Sequence, residues 1–226
     1  MDGREPVGIS YTPSNVANKA DEAEFNRWYK EVHFVDVVKG KVLMNPIMFH
    51  HALATVPPGG DRFIIMYELY YKDLEEGQRE FSKFTPKLLN DYDQTKGIRS
   101  PNRGQYKVFR RMFANQGPKR SQSFYAERLN AKDPAQAAAL EKWYTDVRLP
   151  ELMASGLFHT GSFGGSPRGE ARTAVSPTAS RYLGLFESSS SDALKLKTDA
   201  QRHSPLSKLH PNIVVAETVA AKRDSA

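Results

Sequence analysis

The sequence predicts an α+β fold: two tandem ferredoxin-like βαββαβ units whose antiparallel sheets pack into one α/β barrel. Three observations predict it. The chain repeats itself, both halves carry the same order of strands and helices, and the strands place bulky apolar side chains on both faces.

The repeat is anchored by the only two tryptophans, Trp28 and Trp143, 115 positions apart. Each is followed by a tyrosine (Tyr29, Tyr144) and, three residues later, by a valine (Val32, Val147). A second echo joins Arg62-Phe63-Ile64-Ile65-Met66-Tyr67-Glu68 to Arg181-Tyr182-Leu183-Gly184-Leu185-Phe186-Glu187, 119 positions apart. Two ordered echoes at nearly constant spacing mark a duplicated unit, with a short insertion in the polar stretch 164–180.

In the first half, 8–16 reads as a strand and 21–39 as a helix. Phe25, Trp28, Tyr29, Val32 and Val35 fall at three- and four-residue steps and define its apolar face, and Gly40 closes it. The segment 42–54 is extended, 56–61 is a turn cluster rich in Pro and Gly, and 62–72 is rich in Ile and Tyr, as strands are. Phe81, Phe84, Leu88 and Leu89 give 74–95 a helical period, with Pro86 a point of kinking; 106–114 is the closing strand. The linker 115–118 divides the chain into units 1–116 and 117–226. The second half repeats the order: strand 122–129, a helix 134–154 with Asp133 as cap and Pro134 in its first turn, strands 157–163 and 180–188, a helix from 192 to about 209, and strand 213–220. Each unit then has both helices on one face of its sheet. The other face also carries bulky apolar side chains, with Phe109, Phe113 and Tyr67 as examples, and needs a second sheet against it.

Composition narrows the function. With 39% hydrophobic and 11% aromatic residues the chain can fill an ordinary core. Without cysteine it has no disulfide, thiolate metal site or cysteine nucleophile. No apolar run reaches the roughly 18 residues of a membrane span, and the first residues lack the apolar run of a secretory signal; the expected location is the cytoplasm. The net charge of +6 forms neither a long basic stripe nor a nucleic-acid motif, so it reads as solvated surface.

The elements Trp28 to Val35 and Trp143 to Pro150, with the aromatic-plus-Glu strand ends Tyr67-Glu68 and Phe186-Glu187, resemble the dimeric α/β-barrel superfamily and, within it, the EthD-like proteins. The resemblance covers nearly the whole chain. It implies a cavity between each sheet and its two helices, and a superfamily of decarboxylases, polyketide cyclases, isomerases, cofactor-free monooxygenases and haem proteins. In the family element a histidine is followed two residues on by proline. Here the first half keeps His33 but has Val35, and the second keeps Pro150 but has Arg148; on this basis the first half is the candidate active unit.

Candidate catalytic groups are His33, His50, His51 and Tyr67. His33 borders the apolar face of the first helix, where an imidazole can move a proton near neutral pH. His50 and His51 are neighbours on a strand and point to opposite faces; because Pro46 can break the register, alternation does not say which faces the pocket. Tyr67 can orient or protonate an enolate or phenolate oxygen. Trp28, Tyr29, Tyr11, Arg62 and Arg148 are candidate substrate contacts, the arginines because a guanidinium pairs a carboxylate with two parallel donors. No histidine set has metal-ligand spacing and there is no phosphate loop, so neither metal nor cofactor is expected. The leading reading is a cofactor-independent lyase, of decarboxylase or cyclase type, acting on a small aromatic or polyketide-like acid. The alternatives are a cofactor-free or haem-dependent monooxygenase, for which a histidine would be the axial ligand, and a non-catalytic protein binding a small hydrophobic ligand. Whether the sheets pair within one chain or across a homodimer is left open.

Overall fold

A computed structural model describes residues 4–16, 18–53, 61–84, 103–115, 119–166 and 180–224. The first unit runs β1 (Gly8–Ser14), α1 (Glu22–Trp28), a π-helical turn (Tyr29–His33), α2 (Phe34–Lys39), β2 (Leu43–His51), β3 (Phe63–Leu69), α3 (Leu74–Phe84) and β4 (Gly104–Phe113). The second runs β5 (Ser123–Ala131), α4 (Ala137–Trp143), a π-helical turn (Tyr144–Arg148), α5 (Leu149–Ala154), β6 (Thr160–Gly165), β7 (Tyr182–Ser188), α6 (Ala193–His203) and β8 (Ile213–Arg223). The expected helix beyond residue 84 with Pro86, the turn 56–60, the linker at 116–118 and most of the 164–180 stretch lie outside the described residues.

The eight strands close into one antiparallel barrel in the order β1-β3-β2-β8-β5-β7-β6-β4. Within each unit this is the ferredoxin-like order, β4-β1-β3-β2 and β8-β5-β7-β6, so the units meet edge to edge twice. One junction, β4 with β6, is paired from Lys107↔Gly165 to Phe113↔Thr160. The other, β2 with β8, holds only Phe49↔Arg223, His50↔Lys222 and His51↔Ala221. Closure removes every free sheet edge, which is the physical gain from joining two half-barrels in one chain.

Strand alternation sorts the apolar side chains into three clusters. Ile9, Tyr11, Ile47, Phe49, Ile64, Met66, Tyr106, Phe124, Leu183, Leu185 and Val219 fill the barrel interior. Phe25, Tyr29, Val37, Met48, Phe63, Ile65 and Tyr67 form the layer between the first unit's sheet and its helices. Tyr125, Leu140, Tyr144, Leu149, Phe158, Phe163 and Phe186 form the equivalent layer in the second. Thus the barrel interior is filled by residues other than the three expected from the sequence. Tyr67 faces the helices, Phe109 is exposed outside against Phe163 at 5.9 Å, and Phe113 lies under the Arg111 guanidinium at the strand end. A bulge between Val108 and Arg110 shifts the parity of β4, which periodicity cannot anticipate.

The π-helical turns correct a second expectation. Val32 and Val35 are exposed, at 41% and 46%, not part of the apolar face. A π turn inserts one residue into the α-helical repeat, so the inward positions run Phe25, Tyr29, His33/Phe34, Val37, where a continuous α-helix would carry 25, 28, 32 and 35. The second unit has the same insertion: Val147 turns outward at 47% exposure, while Arg148 and Leu149 are buried.

Candidate active site

In the second unit the last residue of the π turn, Arg148, reaches Glu127 on the outer face of the sheet; the equivalent residue of the first unit is His33. The strand registers make the two surroundings directly comparable. On that face Ser10 is paired with Tyr67 and Thr12 with Ile65 in the first unit; Tyr125 is paired with Phe186 and Glu127 with Gly184 in the second.

The second unit fills this space completely. The Glu127 carboxylate is fully buried and receives the Arg148 guanidinium, the Tyr144 hydroxyl at 2.7 Å and the Tyr125 hydroxyl at 2.9 Å. Arg148 also donates to the Ser204 carbonyl at 2.9 Å. Burial first, and then the Glu127 charge, push the Tyr144 hydroxyl well above its ordinary range, so it remains a donor. Its ring stacks on Phe163 at 4.1 Å. Gly184 is what admits it: a Cβ there would stand 1.9 Å from the Tyr144 hydroxyl oxygen.

The first unit is built from the opposite choices. Ser10 and Thr12 replace Tyr125 and Glu127, removing a ring and a carboxylate, and His33 stands where Arg148 does. The imidazole packs against Trp28 at 4.8 Å and Tyr29 at 4.6 Å. Its Nδ1 is buried and has no hydrogen-bond partner among the described residues. Burial lowers its pKa from 6.5 to about 4, with the Asp36 charge acting in the other direction, so the ring is neutral at pH 7. An aromatic chain continues from it through Tyr29, Phe34 and Tyr67 at centroid distances of 5.4 and 5.9 Å.

Of the other residues singled out in the sequence, Trp28, Tyr29, His33, His50 and Tyr67 share this helix–sheet layer. The bulge at Met44/Ile47, where Asn45 takes a positive φ of 49° beside Pro46, decides the histidine pair. It turns His50 to the helix side, 5.1 Å from the Phe63 ring, and His51 to the barrel rim, where its Nδ1 accepts from the Leu53 amide. His50 Nε2 lies 3.2 Å from Asp224, off the hydrogen-bonding direction, and Asp224 is paired with Lys30. Tyr11 lies across the sheet in the barrel interior, beneath the Arg128 guanidinium. Arg62 is at the strand end, bonded to the Leu53 carbonyl and near Glu22. Arg148 belongs to the other unit.

Sequence reasoning missed Phe34, Ser10, Thr12, Asp224 and Glu127. Only Glu127 carried a signal: a carboxylate in the otherwise apolar run Phe124-Tyr125-Ala126-Glu127.

Among the described residues no three His, Asp or Glu side chains are grouped to hold a metal ion. Haem needs a flat slot beside an axial histidine, and the described residues do not offer one. His33 is flanked by Trp28 and Tyr29, His50 by Phe63, and the second unit's layer is packed ring on ring. Two surface clefts, of about 240 and 200 Å³, are lined by no histidine. No helix among the described residues is long and apolar enough to cross a membrane.

No family profile matches the sequence, and no curated protein does. Solved structures match in fold. A Fusobacterium nucleatum protein provisionally described as a monooxygenase aligns over 97% of this chain and 94% of its own, at 8% identity and a TM-score of 0.61. An anthrone oxidase-like protein aligns over 100% and 94%, at 8% identity and a TM-score of 0.53. A chlorite dismutase variant from Candidatus Nitrospira defluvii aligns over 98% and 93%, at 8% identity and a TM-score of 0.51. At such identity what is shared is the architecture, and the chain has the dimeric α/β-barrel fold, with both ferredoxin-like units in one polypeptide.

Proposed function

We propose that this chain is an enzyme whose first unit moves a proton at His33 on a small aromatic or polyketide-like acid, with a lyase reaction of decarboxylase or cyclase type as the leading reading. The observation that carries it is the contrast between two equivalent positions. Arg148 has every polar neighbour satisfied, whereas His33, at the same place in a π turn, keeps a buried nitrogen unpaired. Single π turns recur at functional sites, and an unpaired buried polar atom costs stability unless something else uses it.

The chemistry follows from the surroundings. Loss of a proton or of CO2 leaves charge on a carbon next to a phenol or carbonyl, which delocalises it. Rings such as those of Trp28, Tyr29 and Phe34 hold a flat substrate against the imidazole, and neutral His33 accepts or returns the proton. Tyr67, one ring farther along, is the candidate for orienting the substrate oxygen.

A second reading is favoured by two of the fold relatives, one provisionally described as a monooxygenase and one as anthrone oxidase-like. In decarboxylation the carbanion forms as CO2 leaves and then takes up a proton, whereas in an oxygenase it forms by loss of a proton to His33 and then passes its electrons to O2, which is the oxidant. Parallel measurement of CO2 release and O2 uptake on a panel of hydroxybenzoates and hydroxyanthrones separates the two. Neither gas changing with any of them would rule out both the decarboxylase and the oxygenase, and leave a cyclase or a binding protein.

His33 also sets a pH dependence. Its folded pKa is depressed, so below about 6.5 the unfolded chain takes up a proton that the folded chain refuses. Folding stability is therefore expected to fall as pH drops from about 6.5 towards about 4. The acid limb of kcat/KM is expected well below 6.5, and a pH–rate profile with its limb at 6.5 would contradict the assignment.

A further inference from the structure

We propose that the β2–β8 seam is the entrance to the first unit's helix–sheet layer, and that Asp224 is the latch that holds it shut. This deepens the reading above by saying how its substrate reaches His33; it rests on that reading for what enters, not for the opening itself. The layer is packed as it stands. His33 has the Trp28 and Tyr29 rings against it at 4.8 and 4.6 Å, and Phe34 lies against Tyr29 and Tyr67. A flat molecule reaches the imidazole only when an element bounding this layer moves.

The two junctions between the units are unequal. β4 and β6 share six residue pairs, whereas β2 and β8 share three, from Phe49↔Arg223 to His51↔Ala221. One further backbone bond, from the Ala52 amide to the Ala220 carbonyl, follows His51. Towards the start of β2 the ladder is interrupted by the bulge between Met44 and Ile47 and by Pro46, which has no amide to donate. Segments held by few buried hydrogen bonds open first. Beyond Phe49↔Arg223 the seam is tied by Asp224. Its amide donates to the Met48 carbonyl at 3.1 Å. Its carboxylate is paired with Lys30, on the π turn that ends in His33, and lies 3.2 Å from His50 Nε2. The end of the second unit's last strand is thus fastened to both the helix and the strand that enclose the first unit's layer. A cleft of about 200 Å³ indents the surface here, with Asp224 and Lys30 beside Phe34, Ile47 and Met48. Phe34 and Met48 also belong to the packed layer, so parting the seam extends this notch inward.

The test exploits a chain without cysteine. Met48→Cys and Met153→Cys each place a single thiol in the buried layer of the first and the second unit. The full chain is treated with 4,4′-dithiodipyridine, a neutral aromatic disulfide; the thiol forms a mixed disulfide with it and releases 4-thiopyridone, whose absorbance gives the rate. The Met48→Cys thiol is expected to react about tenfold or more faster than the Met153→Cys thiol, because its layer opens without global unfolding. Adding Asp224→Asn or Lys30→Gln breaks the partly exposed pair from either side. Each is expected to speed labelling at Met48→Cys about two- to fivefold and to leave Met153→Cys unchanged. Equal rates for the two thiols, or a Met48→Cys rate untouched by both added substitutions, would overturn the proposal. No substrate is needed, so this outcome is separate from that of the catalytic reading. If His33→Gln turns over like wild type while labelling still responds to Asp224→Asn, the latch stands and the proton-transfer reading fails. If turnover is lost but labelling ignores Asp224 and Lys30, the latch fails alone.

Discussion

His33→Gln is expected to lower kcat by about 10²–10⁴, the usual loss when a positioned acid–base group is removed, while the protein melts no lower than wild type. Glutamine keeps a polar side chain of similar reach but cannot carry a proton between atoms. The second half of the expectation matters because Nδ1 makes no hydrogen bond among the described residues, so the substitution breaks none. A group kept for structure would behave the other way, with rate unchanged and melting temperature lowered. Steady-state kinetics on whichever substrate of the panel is turned over, with thermal melts on the same preparations, distinguishes the two.

Arg148→Met is expected to do what His33→Gln does not. It removes one member of a buried ion pair and leaves the Glu127 carboxylate, fully inaccessible to solvent, with two tyrosine hydroxyls only. Breaking such a pair from one side costs about 3–5 kcal/mol, or on the order of 10 °C in Tm for a chain of this size. The double variant Glu127→Gln/Arg148→Met removes the stranded charge and is expected to regain part of the loss, since neutral groups are less costly to bury. Thermal denaturation followed by circular dichroism checks both. A melting temperature within 2 °C of wild type for Arg148→Met would mean that the network is not what holds the second unit's helix on its sheet.

These opposite responses at equivalent positions follow from divergence after duplication. One copy keeps a polar set that closes on itself, and the other gives up the acid and the ring for Thr12 and Ser10. The second unit thus carries the closed polar set, and the first carries His33 at the equivalent position.

Much of the architecture was legible in the sequence, because duplication leaves a long-range signal. Trp28 and Trp143, and the two strand echoes ending in Glu68 and Glu187, gave away the duplication and the order of elements, while the edge-to-edge closure of both halves within one chain came from the structure. What could not be read was local register. Each departure traces to one extra residue: the π turns that move Val32, Val35 and Val147 outward, the bulge that moves Phe109 out of the barrel, and the bulge beside Pro46 that sends His50 to the helices and His51 to the rim. Periodicity assumes an uninterrupted ladder or helix, so one inserted residue reverses every later assignment on that element. The candidate site was legible only in outline. His33, Trp28 and Tyr29 stood out as residue types, but the contrast with Arg148 depends on Glu127, Ser10 and Thr12, which become comparable only once the strands are paired.

The account rests on His33 being a neutral imidazole in the first unit's helix–sheet layer. Nitrogen-15 NMR titration of histidine-labelled protein, with the His33→Gln spectrum assigning the resonance, reads this directly. The expected midpoint is about 4; a midpoint at 6.5, the value of a freely solvated histidine, would contradict it.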